Sequence, residues 1–217
     1  MLAAQQTRLD TAWDLLAKGQ RQEAARVARQ IIQANPRSGE ARLFLGSILA
    51  EDGATPEAIA HLREAVRLLP RSPEAHNALG DALVNAGDRK GARAAFDRAV
   101  ALNPRFPEAH ASLGLLLLQD GDAKTAAGHL DKAIQGFGNS ADAAQSYYLR
   151  AKIHTGLEEI EKAEADLLKA VALRPDFAEA WSDLGQSRKA LLNEDGALAA
   201  FQRSVELDPA NAIAQYR

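Results

Sequence analysis

Prolines mark a fixed period along this chain of 217 residues. Pro36, Pro70 and Pro104 are spaced 34 apart, as are Pro175 and Pro209. The 71 residues from Pro104 to Pro175 make two periods plus three, and the missing marker falls at Gly138, inside Gly136-Phe137-Gly138-Asn139-Ser140. A short insertion therefore sits there. A period of this length signals stacked supersecondary units, each too small to bury its apolar face alone. With each proline placed thirty-second, the units run 5–38, 39–72, 73–106, 107–143, 144–177 and 178–211.

Residues that did not set this register obey it. The twentieth is alanine in all six units: Ala24, Ala58, Ala92, Ala126, Ala163 and Ala197. The eighth is small throughout, as Ala12, Gly46, Gly80, Gly114, Ala151 and Gly185. Position 27 reads Ile31, Ala65, Ala99, Ala133, Ala170 and Ser204. Each half of a unit, for example Glu74 to Ala86 and Lys90 to Leu102, shows apolar residues at helical spacing. Gly19, Gly53, Gly87 and Gly121 fall between the halves, where a helix ends and turns. The prolines stop the second helix, because proline cannot continue the hydrogen-bond ladder. Small residues at positions 8 and 20 let two helices approach closely. Leu62, Phe96, Leu130, Leu167 and Phe201 at position 24 fill the space beside them.

This pattern resembles the tetratricopeptide repeat family, whose repeat has a small residue at 8, alanine at 20, a large apolar residue at 24, a small one at 27 and proline at 32. The resemblance extends over residues 5–211 and implies an all-α fold, a right-handed superhelical solenoid of antiparallel helix pairs. It further implies that the first helix of each pair lines the concave face. The matched positions are packing positions, so they specify fold and leave function open. Three departures stand out. Unit 1 has Thr11 and Ala12 where an apolar residue and glycine are usual, which suits a terminal repeat. Unit 5 carries Arg150, His154 and Glu158 at positions 7, 11 and 15, with its glycine displaced to Gly156, and a local change in superhelix geometry is expected there. In unit 6, Arg188 and Leu192 replace an apolar residue and glycine. Residues 212–217 read as the start of a seventh unit or a capping helix, which would make the chain a fragment of a longer protein.

Chemistry is hard to find in this sequence. With no cysteine, disulfides, thiolate metal sites and a cysteine nucleophile are excluded. No two of His61, His76, His110, His129 and His154 stand three or four apart, as a helical metal site would require. No catalytic constellation or phosphate-binding glycine loop is visible, and no cofactor is expected. Glu40, Glu74, Glu108 and Glu179 share position 2, where they meet the positive end of a helix dipole. Residues Met1 to Thr11 do not read as a signal peptide, and no apolar run approaches the ~20 residues of a membrane span, so a soluble chain of the cytoplasm or periplasm is expected.

The expected function is a non-enzymatic scaffold that binds a peptide or protein partner on the concave face. The candidate partner-binding residues are Leu9, Trp13, Leu43, Ser47, Asn77, Asp81, Asn85, Leu115, Tyr148, Lys152 and Gln186. Asn77, Asp81 and Asn85 form an i, i+4, i+8 polar line suited to an extended backbone. Arg37, Arg71 and Arg105 follow the marker prolines and form a recurring basic edge suited to an acidic segment. The lysine and asparagine pattern by which some relatives clamp C-terminal carboxylates is absent, as is the asparagine ladder of others. An accessory repeat region of a larger glycosyl- or sulfotransferase is the alternative, to be decided by the parent sequence. Nucleic-acid binding of the pentatricopeptide kind is disfavoured by the 34-residue period and by the net charge of −3. Self-association stays open.

Overall fold

The computed structural model describes residues 2–53 and 55–209, so the expected start of a seventh unit lies outside the described residues. The described residues form α-helices joined by short turns, with no strand among them. The helices are α1 (Leu2–Ala17), α2 (Arg21–Ala34), α3 (Gly39–Glu51), α4 (Thr55–Leu68), α5 (Pro73–Asn85) and α6 (Arg89–Leu102). They continue as α7 (Pro107–Gln119), α8 (Ala123–Phe137), α9 (Ala143–Gly156), α10 (Ile160–Leu173), α11 (Ala178–Ala190) and α12 (Glu194–Leu207). Two compact units result, one ending at Ala109 and one beginning at His110, inside α7. In the first, each helix from α1 to α6 packs on the next, and α3 also packs on α5. In the second, α8 to α12 pack in the same serial way.

Close approach within a pair depends on the missing side chain at position 8. A Cβ at Gly46 would fall 2.6 Å from Leu62 Cγ, and one at Gly114 would fall 2.7 Å from Leu130. Gly185 faces Phe201 at 2.6 Å in the same manner. Such distances are overlaps, so the small and large residues are a matched set. The alanines at position 20 lie at the same contact; Ala24, Ala58, Ala92, Ala126 and Ala163 are wholly buried.

The turn inside each pair keeps one backbone geometry while its residue changes. Gly19, Gly53, Gly87 and Gly121 end their helices at φ of +74°, +78°, +80° and +84°. At the same position Glu158 and Leu192 hold φ of +59° and +61°. The displaced Gly156 instead remains the last residue of α9. The last two turns thus keep the left-handed conformation without the residue that favours it.

Links between pairs are set by side-chain caps. Ser38 Oγ accepts from the Ala41 N–H at 3.4 Å and Ser72 Oγ from the Ala75 N–H at 3.1 Å. Asn35 and Asn103 each accept from the arginine two residues on, so Arg37 and Arg105 are held in Asx turns at 3.1 Å. The insertion is absorbed locally. α8 ends at Gly138 with φ of +60°, and Ser140 Oγ donates to Asp142 at 2.7 Å within the following turn.

Arg150 replaces a core leucine. Its counterparts at position 7, Leu45, Leu113 and Leu184, are buried. Arg150 on α9 donates to both carboxylate oxygens of Asp166 on α10, at 2.7 and 2.6 Å, and to Asp131 on α8 at 2.6 Å. Those bonds, Asp166 first, raise the guanidinium pKa well beyond its ordinary range against the opposing cost of burial. His154 extends the network through Nδ1 to Glu159 at 2.7 Å.

Candidate partner-binding grooves

In the first unit, the polar line on α5 does meet other groups. Asn77, Asp81 and Asn85 join Ser47 of α3 in a groove of about 340 Å³. Asn77 Nδ2 donates to Asp81 Oδ2 at 3.0 Å, which fixes the carboxylate at the groove wall. Asn77 Oδ1 is shut off from solvent and accepts no hydrogen bond. Glu51, Glu74 and Glu108 bring three more carboxylates, and Phe106 supplies an aromatic wall.

In the second unit, Lys152 of α9 and Gln186 of α11 line a groove of about 360 Å³ together with Thr155, Ile160 and Asp183. Tyr148 stands next to it. Its ring packs on Phe177 with centroids 4.8 Å apart, and the Lys152 ammonium lies 5.5 Å from its centre. Burial first, then the charge and hydrogen bond of Asp183, push the Tyr148 phenol well above its usual pKa. Burial also raises the Asp183 carboxyl; Lys152 and the Tyr148 hydroxyl pull it back down. Tyr148, Lys152 and Asp183 are therefore one coupled group.

A third and larger depression, about 820 Å³, opens at the turn from Gly19 to Glu23. Its principal charge is committed: Arg21 pairs with Glu51 at 2.8 Å and Asp52 at 3.0 Å.

Sequence comparison identifies the repeat directly. One tetratricopeptide repeat model matches residues 9–73 and 77–144, and a second matches 144–177 and 178–211. The chain belongs to the tetratricopeptide repeat family. Solved structures show its all-α superhelical repeat fold. A Cut9 complex, the "APC/C hetero-tetramer Cut9-Hcn1", aligns over 96% of this chain at 19% identity with a TM-score of 0.87. This chain spans only 41% of that protein's length. PilF of Pseudomonas aeruginosa aligns over 99% of this chain and 95% of its own, at 18% identity and a TM-score of 0.86. YrrB, described as a tetratricopeptide protein "with an unusual peptide-binding site", aligns over 88% and 97% at 17% identity and a TM-score of 0.65. A search of curated protein sequences found no match.

Not every residue that the tetratricopeptide register assigns to the binding face reaches a groove. Leu9 is a correction: at 7% exposure it is part of the core that includes Ala12, Phe44 and Leu45. Leu43 is half-buried against that core. Trp13 is 54% exposed and meets the Phe44 ring edge-on at 4.6 Å, outside the groove lining. Leu115 is 37% exposed and lines neither groove. Arg37, Arg71 and Arg105 are all exposed.

Phe106 and Asp183 were missed. Asp183 shares position 6 with the buried Phe44, so its repeat position gave no consistent signal. Phe106 stands where Ser38 and Ser72 cap their helices, and so does Phe177. A phenyl ring cannot accept the capping hydrogen bond, and that departure was the available signal. Among the described residues, no three His, Cys, Asp or Glu side chains are grouped to hold a metal, and no helix is long and apolar enough to cross a membrane.

Proposed function

We propose that this chain is a non-enzymatic interaction scaffold that holds an extended segment of a protein partner along the first helices of its pairs, on the concave face of the repeat. Convergence carries this reading. Ser47, Asn77, Asp81 and Asn85, from two helices, line one groove; Lys152 and Gln186, from two others, line a second. Amide, hydroxyl and charged side chains along a groove suit the alternating donors and acceptors of an extended backbone. A net charge of −3 favours a protein partner over nucleic acid.

The test is site-directed photocrosslinking in the source cell. A benzoylphenylalanine at Asn85 or Gln186 is expected to trap a partner, whereas one at the exposed Arg63 or Arg98 on the second helices traps none. Asp81→Lys combined with Tyr148→Ala is expected to abolish the crosslinks with the fold retained by circular dichroism. Crosslinks confined to Arg63 and Arg98, or unaffected by the double variant, would overturn the reading.

A further inference from the structure

Leu192 at 86% and Leu157 at 61% are the most exposed large apolar side chains among the described residues. Both stand in turns inside helix pairs, Leu157 directly after α9 and Leu192 two residues after α11. The ends of those helices lie side by side, because Lys152 and Thr155 of one and Gln186 and Ala190 of the other line a single groove, with Ile160 of α10 in its wall. One exposed leucine is ordinary surface. Leu192, though, holds φ of +61°, in the left-handed region that Gly19, Gly53, Gly87 and Gly121 occupy without strain in four earlier turns. None of those four turns sets a large apolar residue beside its glycine. Local bonds fix the two leucines in place: the Leu157 N–H donates to Ile153 O and the Leu192 N–H to Lys189 O, each at 3.1 Å. His154 ties the first turn to Glu159 at 2.7 Å, and Asn193 Oδ1 accepts from the Gly196 N–H at 3.0 Å in the second. The surroundings are acidic. Residues 157–162 and 189–195 hold five carboxylates and two lysines, of which Lys162 is already bonded to Glu159 at 2.9 Å.

We propose that this edge of the second unit docks a basic amphipathic helix of a protein partner, at a surface separate from the concave face. The apolar face of such a helix covers Leu157 and Leu192, and its flanking lysines or arginines meet the exposed Glu158, Glu161, Glu194 and Asp195. A helix satisfies its own backbone. Carboxylates accept hydrogen bonds and cannot answer the carbonyls of an extended chain, so an edge of leucines and carboxylates suits a closed backbone. The same carboxylates repel an anionic membrane surface. Because both leucines are already held in their turns, docking orders little of this chain.

The experiment is a titration of the full chain, carrying labelled leucine methyls, followed by nuclear magnetic resonance. The probe is a capped peptide of leucine and lysine, with leucines at i, i+3, i+4 and i+7 so that they line one helix face. Two controls keep its length, one with serine in place of leucine and one with glutamate in place of lysine. The probe is expected to shift the methyls of Leu157 and Leu192 and to weaken with added salt. The serine control is expected to bind about tenfold more weakly or worse, and the glutamate control not at all. Leu157→Ser with Leu192→Gly, which keeps the second turn in its left-handed form, should lower affinity for the probe by about tenfold or more. Glu158→Gln with Glu194→Gln and Asp195→Asn should lower it and flatten its salt dependence. Equal binding by the leucine variant, shifts centred on Leu115 or Leu198, or binding of the glutamate control would overturn the docking edge. So would methyl shifts caused by phosphatidylcholine vesicles alone, or a dimer in sedimentation that the leucine variant dissolves, since each names a different occupant. Crosslinks at Asn85 should persist in the leucine variant, so the edge and the concave-face reading stand or fall separately.

Discussion

The two compact units set their grooves on the same helix of the repeat and fill them with opposite chemistry. In the first, four carboxylates line the groove, Glu51 among them paired to Arg21. In the second, Lys152, Asp183 and Tyr148 compensate one another. The same contrast runs through the packing beneath. Leu45 lies in the core of the first unit; in the second, between the buried Leu113 and Leu184 of neighbouring repeats, the same position holds Arg150, clamped between Asp131 and Asp166. Gly19, Gly53 and Gly87 shape the turns of the first, whereas the second keeps one such glycine, Gly121, and then has Glu158 and Leu192. The repeat dictates where a side chain stands, and the chemistry at that place is free to vary so long as small residues stay small.

Breaking the clamp is expected to have the largest effect. Arg150→Ala leaves Asp166, whose side chain is 8% exposed, buried without its main partner, and should destabilise the second unit by about 3 kcal/mol. Urea unfolding checks this. Arg150→Leu with Asp166→Leu restores the apolar packing of the first unit and should recover most of that loss. If the single variant is as stable as the parent, the clamp is not holding the helices.

The turns allow a smaller, two-sided test. Leu192→Gly relieves a left-handed backbone at a side chain that is 86% exposed, so about 1 kcal/mol of stability should be gained. Gly87→Leu, the reciprocal change, should lose about as much. Thermal melts of the pair measure both, and equal signs would show that the turns are not equivalent.

The smallest effect concerns the Asp183 carboxyl, raised from its ordinary value by burial and pulled back by Lys152. Because its folded value lies above its unfolded one, the folded chain binds the proton more tightly. Its contribution to stability is full below the unfolded value and is lost as pH rises through the folded one. Lys152→Met removes the first of the two groups that pull the carboxyl down, so the folded value should rise further and that window should widen upward. Carbon-detected titration of Asp183 reads this; a fall in its pKa would contradict the coupling.

Sequence alone was informative wherever packing repeats. Alanine at position 20, the small residue at position 8 and its large partner at position 24 each follow from the closeness of two helices, and all lie where that closeness requires. Groove residues were legible in part. Asp81 and Asn85 were placed by periodicity, but Leu9, at a position that is half-buried as Asn77, sinks into the core beside Phe44. Periodicity reports which way a side chain points and is silent about what the neighbouring pair brings to meet it. The clamp of Arg150 was visible as a departure and not as an ion pair, because its partners lie 19 and 16 residues away on separate helices. Glu158 and Leu192 were legible as missing glycines, yet only the backbone reveals that the turn survives without them.

The exchange of serine for phenylalanine just before a first helix has a consequence for how such a chain diversifies. A helix start held by neighbouring helices can lose a capping hydrogen bond worth about 1 kcal/mol and still form. One substitution at the seam between two repeats therefore exchanges a cap for a ring, which lines a groove at Phe106 and joins the core beside Tyr148 at Phe177. The seam can thus change repeat by repeat, at a boundary that the small-to-large packing code does not govern.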